Sequence, residues 1–236
     1  MSQGSTTDTP ETPGTPDTPN ATDRAWLQTL RGTFVVFDGP DGSGKTTQFR
    51  RFITLCESHG IEVCEVREPG GTAIGEQVRD LLLHYRDDDH GAMAPACEML
   101  LFMASRAQLI SERVRPALRR GCLVLADRFI SSTLAYQGSA GGTPVADILR
   151  VGQVALGETW PDRVVVFDVD EATAAKRLNP LLDRMEARGA AFHAKVRRGY
   201  LDQAEQDPDR YVVIDARSDE DTVFARLLNG LEAKQS

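Results

Sequence analysis

A lysine set behind three spaced glycines carries the first chemistry legible in this chain. The stretch Gly39-Pro40-Asp41-Gly42-Ser43-Gly44-Lys45-Thr46-Thr47 follows the extended run Thr33-Phe34-Val35-Val36 and leads into Gln48-Phe49-Arg50-Arg51-Phe52-Ile53, the strand-to-helix setting of a phosphate-binding loop. Gly39, Gly42 and Gly44 permit backbone conformations closed to other residues, so successive N–H groups can turn inward around a polyphosphate. The positive end of the following helix points at the same place. In that setting Lys45 reaches the β- and γ-phosphates of a nucleotide and the Thr46 hydroxyl ligates Mg²⁺.

Other polar residues stand where further strands should end. The apolar run 122–126 closes on Asp127-Arg128, an acid suited to holding Mg²⁺ beside an arginine suited to a second phosphate, with a structural salt bridge or helix cap as the alternative. Arg67 precedes the flexible turn Pro69-Gly70-Gly71 and could meet a phosphate; an ordinary exposed arginine is the competing reading. Phe102 and Arg106 share a helix face, where a ring and a forked donor could hold a nucleobase, or could be a core residue and a solvated charge. The hydroxyls and amide of 131–138 suit a sugar or base, and the glycine-rich 139–142 reads as a mobile loop. Beyond Asp170, which reads as a helix cap, Arg177 and Arg184 flank Pro180, as arginines of a closing lid over 176–188 would; a charged, solvated helix is the other reading.

The elements that must position these residues alternate. Strand-like runs at 33–37, 61–67, 122–126, 163–169 and 211–214 are separated by helical patterns at 45–59, 74–84, 94–120, 145–156, 171 to about 201 and 220–231. That alternation predicts an α/β fold with a parallel five-stranded sheet flanked by helices, and a helix broken at Pro180. Ligands in such sheets lie outside the carboxyl ends of the strands, where the residues above fall.

Composition bounds the rest. A chain of 236 residues with 41% hydrophobic content suits a single domain, here 25–236, and the Thr/Pro-rich stretch 1–24 is expected to be a disordered tail. A net charge of −8 argues against the basic face that nucleic acid requires, whereas a small anionic substrate needs only a local pocket of arginines. No long apolar run or basic leader is present, so no membrane segment and a cytoplasmic location are expected. Cys56, Cys64, Cys97 and Cys122 lack metal spacing and are expected as buried free thiols within helices or strands. His59, His84, His90 and His193 form no metal pattern, so no resident metal site is expected.

Taken in order, FDGPDGSGKTTQ, REPGGT, LLFMASRAQ, DRFISSTLAYQG and LDRMEARGAAFHAKVRRGYL resemble the bacterial-type thymidylate kinases from about Gly32 onward. The resemblance implies a P-loop nucleoside monophosphate kinase fold, a homodimer, ATP and dTMP as substrates, and Mg²⁺ bound with the nucleotide. It implies that Arg67 and Arg128 hold the dTMP phosphate, that Phe102 stacks on thymine, and that Arg106 donates to O4, where cytosine carries an amine. It further implies base contacts from Thr133 and Gln137, Tyr136 beside the sugar, and Asp41 and Glu186 as acidic residues of the pocket. Lys45, Arg128, Arg177, Arg184 and Asp41 would carry the catalytic charge, and Thr46 and Asp127 the metal. The chain departs from the family in its lid, where Lys176-Arg177-Leu178-Asn179-Pro180-Leu181-Leu182 retains one arginine, and in Phe129, where tyrosine is frequent.

The expected reaction is transfer of the ATP γ-phosphoryl to dTMP. Its acceptor is a phosphate monoester already mostly dianionic at neutral pH, so no strong general base is needed, and anion repulsion is the obstacle. Met93, Met99, Leu100 and Met103 could face a dimer partner or the core. A kinase for another nucleotide or small molecule, and a P-loop ATPase or switch without an acceptor, are the competing readings.

Overall fold

The structure is a computed structural model that describes residues 21–85, 91–177 and 188–234. Five parallel strands, β1 (Phe34–Asp38), β2 (Val63–Arg67), β3 (Leu123–Asp127), β4 (Arg163–Asp168) and β5 (Tyr211–Asp215), form one sheet in the order β2-β3-β1-β4-β5. β1 is central, and its register aligns Phe37 with Asp127 of β3 and Asp38 with Val166 of β4. Arg67 ends beside Asp127, so the polar strand ends share one edge of the sheet. This is the predicted α/β architecture.

Alternation along β1 divides the core. Phe34 and Val36 face one layer with Val124, Ala126, Val164 and Val166, while Val35 and Phe37 face the other with Leu123, Leu125, Val165 and Phe167. The first layer packs on α3 (Pro95–Leu109), α6 (Val145–Leu156) and α8 (Ala190–Gln206); the second packs on α1 (Lys45–Ser58), α9 (Glu220–Glu232) and the 3₁₀ segment Ala21–Leu30. The remaining helices are α2 (Ala73–His84), α4 (Arg115–Arg119), α5 (Ile130–Thr133) and α7 (Glu171–Arg177).

Several expectations are corrected in detail. The helix expected over 94–120 is interrupted by a π turn, Ile110–Val114, before α4. Pro116 has no N–H to give the preceding turn, which widens to avoid its ring. Residues 134–140 continue α5 as a second π turn, and Gly142 N donates to Gly138 O, where a loop was expected. α8 runs to Gln206, beyond 201, and stops ahead of Pro208. Of the cysteines, Cys56 and Cys122 are buried, but Cys64 is half-buried and Cys97 exposed on the outer side of α3, and Cys122 lies just before β3. Met99 and Met103 are core residues, whereas Leu100 is exposed. Residues 1–20 of the expected tail and the expected break at Pro180 lie outside the described residues; Ala21–Leu30 already buries Leu27 and Leu30.

Phe37 sits at the centre of the second layer, its ring 5.9 Å from Phe49, 5.4 Å from Phe52 and 5.2 Å from Phe167. Phe37→Ala is expected to cost about 3–5 kcal/mol of stability, read as a lower urea midpoint with an unchanged slope. A loss below about 1 kcal/mol would show that the ring is not a keystone of this layer.

Candidate active site

The loop between β1 and α1 has the geometry its glycines predicted. Gly39, Gly42 and Gly44 all have positive φ (135°, 75° and 79°), and a Cβ on Gly39 or Gly42 would stand 2.6 Å from Phe167 O or 2.5 Å from Ala174 O. Gly44 opens α1 with no side-chain cap, which leaves the first-turn N–H groups to a ligand. Ser43 Oγ is buried without a hydrogen-bond partner among the described residues, a donor suited to a phosphate oxygen. Lys45 is buried at the start of α1; burial and Arg128 lower its ammonium from its ordinary value, opposed by Asp127, Asp41 and Asp38. Thr46 is exposed beside it and Asp127 half-buried at the end of β3.

Next to this loop, Asp41, Phe102, Arg106, Arg128, Thr133, Tyr136 and Gln137 line one cavity. α3 supplies Phe102 and Arg106 from one face, and the segment from Arg128 to Gln137 supplies the opposite wall. Arg106 is fully buried: its Nε and Nη2 donate to Glu68 Oε2 at 2.8 and 2.5 Å, and Nη2 also to Thr133 Oγ1 at 3.1 Å. Among the described residues its Nη1 donates to the Met103 sulfur alone, at 3.1 Å, a weak acceptor.

Arg128 joins this cavity to the phosphate-binding loop. Its backbone is left-handed (φ 67°), alone among the described residues other than glycine. The side chain pairs with Asp41 through Nη2 and donates through Nη1 to Gly39 O, Ser132 Oγ and Tyr200 OH at 3.2, 3.1 and 3.2 Å. Tyr136 OH donates to the second Asp41 oxygen at 2.5 Å. Burial opposes the Asp41 charge, but Arg128 and Lys45 outweigh it and hold the carboxyl below its usual range. Burial likewise pushes the Tyr136 and Tyr200 hydroxyls far up, so both remain hydrogen-bond donors.

Other expected residues fall elsewhere. Arg67 lies outside the cavity, half-exposed and 3.1 Å from Glu76. Arg79 of α2 lines the cavity instead and donates to Pro69 O at 2.9 Å. Arg177 borders a separate depression with Gly42, Ser43, Gly44 and Thr47, donating to Ala216 O at 2.9 Å. Arg184 and Glu186 lie outside the described residues. Asp170 caps α7, accepting from Thr173 N at 2.9 Å.

Three buried acids went unread in the sequence. Asp38 accepts from Ser131 Oγ, Ser132 Oγ and Tyr200 OH at 2.6, 2.7 and 2.6 Å. Glu98 accepts from Gln137 Nε2 and Arg188 Nη2, each at 2.8 Å. Glu68 leaves Oε1 unpaired among the described residues, and burial raises its carboxyl to about 7 despite the Arg106 guanidinium. The available signal was position: Asp38 closes the central strand and Glu68 follows β2.

The family model described as thymidylate kinase matches residues 37–227. A thymidylate kinase of Bifidobacterium longum (strain DJO10A) is 42% identical over 198 residues, spanning 84% of this chain and 96% of that protein. One from Symbiobacterium thermophilum is 42% identical over 184 residues, or 78% and 85% of the two chains. The crystal structure of thymidylate kinase from Ehrlichia chaffeensis superposes with a TM-score of 0.67 at 31% identity, covering 84% of this chain and 98% of that one.

Glu68 gives the site a pH signature. Because the folded protein raises its carboxyl from 4.5 to about 7, it holds that proton more tightly than the unfolded chain does. The corresponding stability is full below the unfolded value and is lost as pH rises through about 7. Glu68→Gln mimics the protonated form and cannot titrate, so in urea unfolding the variant should gain on the wild type as pH rises from 4.5 to about 7 and hold that gain above it. A difference that does not change with pH would contradict the raised carboxyl.

Proposed function

This chain belongs to the thymidylate kinase family, and from that premise we propose that the cavity beside the phosphate-binding loop takes dTMP while the loop takes ATP, with γ-phosphoryl transfer between them giving dTDP and ADP. The observation that carries this reading is the convergence of Asp41, Phe102, Arg106, Arg128, Thr133, Tyr136 and Gln137 on one cavity, joined to the loop through Asp41. Phe102 stacks on the base, and Arg106 Nη1 exchanges the Met103 sulfur for O4. A cytosine amine at that position would face a donor with a donor, leaving both unpaired.

Arg128 and Lys45 face the two phosphates and offset their repulsion, which is the main barrier when the acceptor is already anionic. Arg67 keeps the acceptor-phosphate role that the resemblance implies, and Arg79, which lines the cavity, is a second candidate for it. Arg177 sits on the loop side and serves the donor; a part for Arg184 and Glu186 rests on the family resemblance alone. The residues fit Mg²⁺ arriving with the nucleotide: Thr46 follows Lys45 and Asp127 acts on the Lys45 ammonium, both offer oxygen ligands, and the ion would neutralise phosphate charge there. No histidine is required as a base.

A homodimer is part of the proposal. Ile74 and Leu81 of α2, Leu100 of α3 and Val154 of α6 are exposed apolar residues on neighbouring helices, which supports a covered face. No helix among the described residues is long and apolar enough to cross a membrane. Unpaired cysteines suit the reducing cytoplasm we propose as its location.

ADP release with MgATP and each nucleoside monophosphate in turn tests the reading. Selective stimulation by dTMP is expected, and ATP hydrolysis indifferent to every acceptor would overturn it in favour of a P-loop ATPase. Lys45→Ala should lower turnover by about a hundredfold or more while the thermal melt stays near that of the wild type. Normal turnover in that variant would remove the loop from the mechanism.

A further inference from the structure

Glu98 occupies the same face of α3 as Phe102 and Arg106, one turn nearer the helix start. It is almost wholly buried, yet its two oxygens reach in different directions. Oε1 accepts from Gln137 Nε2 at 2.8 Å, and Oε2 accepts from Arg188 Nη2 at 2.8 Å. Arg188 is further held over the Phe192 ring, its guanidinium carbon 4.9 Å from the centroid. Gln137 is itself buried and is one of the residues lining the cavity.

A carboxylate is an acceptor at both oxygens and has no proton to donate. Whichever end of the Gln137 amide faces Glu98 must therefore be its NH₂ group, and the opposite end, Oε1, takes part in no hydrogen bond among the described residues. We propose that Glu98, anchored by Arg188, is a specificity-determining positioning residue: it orients the Gln137 amide so that the cavity offers a carbonyl oxygen to the N3 position of the base. The proposal rests on the reading that a pyrimidine monophosphate fills this cavity.

The consequence is a second, independent test of the base. Thymine and uracil carry N–H at N3 and match a carbonyl oxygen; cytosine carries a bare nitrogen there and would set acceptor against acceptor. Arg106 examines the 4-position and Gln137 the 3-position. Without Glu98 the second reading loses its sign, because a free amide can turn over and present NH₂ to cytosine.

Glu98→Gln keeps shape and removes the obligatory acceptor. In assays of kcat/KM and in equilibrium binding, E98Q is expected to lose about tenfold or more of the preference for dTMP over dCMP. Its preference for dTMP over dUMP, which share the N3 hydrogen, should stay as in the wild type. The double substitution E98Q/Q137E exchanges amide and carboxylate and again presents only an acceptor to the base, so the dTMP preference over dCMP should return. An equal fall for dTMP and dCMP in E98Q, or a double variant that folds but does not discriminate, would overturn the proposal and leave the kinase reading intact. If E98Q does not fold, the double variant alone decides by its dTMP-to-dCMP ratio. A wild-type protein indifferent to dTMP and dCMP would instead remove the reading on which the proposal rests.

Discussion

At the end of the central strand a carboxylate with no access to water is held in place by three hydroxyls. Asp38 accepts from Ser131, Ser132 and Tyr200, and the backbone N–H of Gly39 also points to it. A buried charge without such partners would cost several kcal/mol, on the order of the stability of a whole domain. Satisfying it therefore dictates where three separate pieces of chain must lie: the phosphate-binding loop, the segment after β3, and α8. Arg128, 3.6 Å from Asp38, is placed by the same cluster and keeps a left-handed backbone that only a strong set of contacts would maintain in a side chain of its size.

From this anchor the two halves of the site follow different rules. The loop side is built of backbone, with Gly39 and Gly42 pressed against Phe167 and Ala174 and Gly44 opening α1 without a side-chain cap. The cavity side is built of side chains, and several of its polar groups are restrained by an acid behind them: Glu68 behind Arg106, Glu98 behind Gln137, Asp41 behind Tyr136. Polyphosphates are alike in every nucleotide and need only charge and curvature. Bases differ by single protons, and telling them apart needs donors and acceptors that cannot turn.

The two halves also differ in how far they could be read before folding. The loop is a local pattern, and Gly39 to Thr46 carried its setting on both sides. The parallel sheet covered on both faces followed from the alternation of elements, since strands covered on both faces are apolar throughout, whereas the strand order β2-β3-β1-β4-β5 was not legible there. Phe102 and Arg106 were ambiguous because helical spacing shows which residues share a face but not whether it looks inward; only the family resemblance tipped it. Arg67 and Arg79 show the limit more sharply. Both lie near the same glycine turn, but Arg67 at the end of β2 turns to Glu76, while Arg79 is carried to the cavity on α2, which opens at the Thr72 cap. Asp38, Glu68 and Glu98 passed unnoticed because an acid in sequence is taken for a surface residue, and its burial is a property of what packs over it. The π turn at Ile110–Val114 was missed although Pro116 was in view.

Asp41 belongs to both halves, and its pairing with Arg128 sets what the resting site ignores. The arginine proposed to hold the acceptor phosphate is already paired with a carboxylate, so an incoming anion would have to take the place of Asp41. Free inorganic phosphate would have to break an internal ion pair while offering nothing in exchange beyond its own charge. A nucleotide brings a ring for Phe102 and an edge for Arg106, and those contacts can compensate for the exchange of partners. On the proposed function, that competition would favour a nucleotide over free phosphate at this arginine-lined pocket.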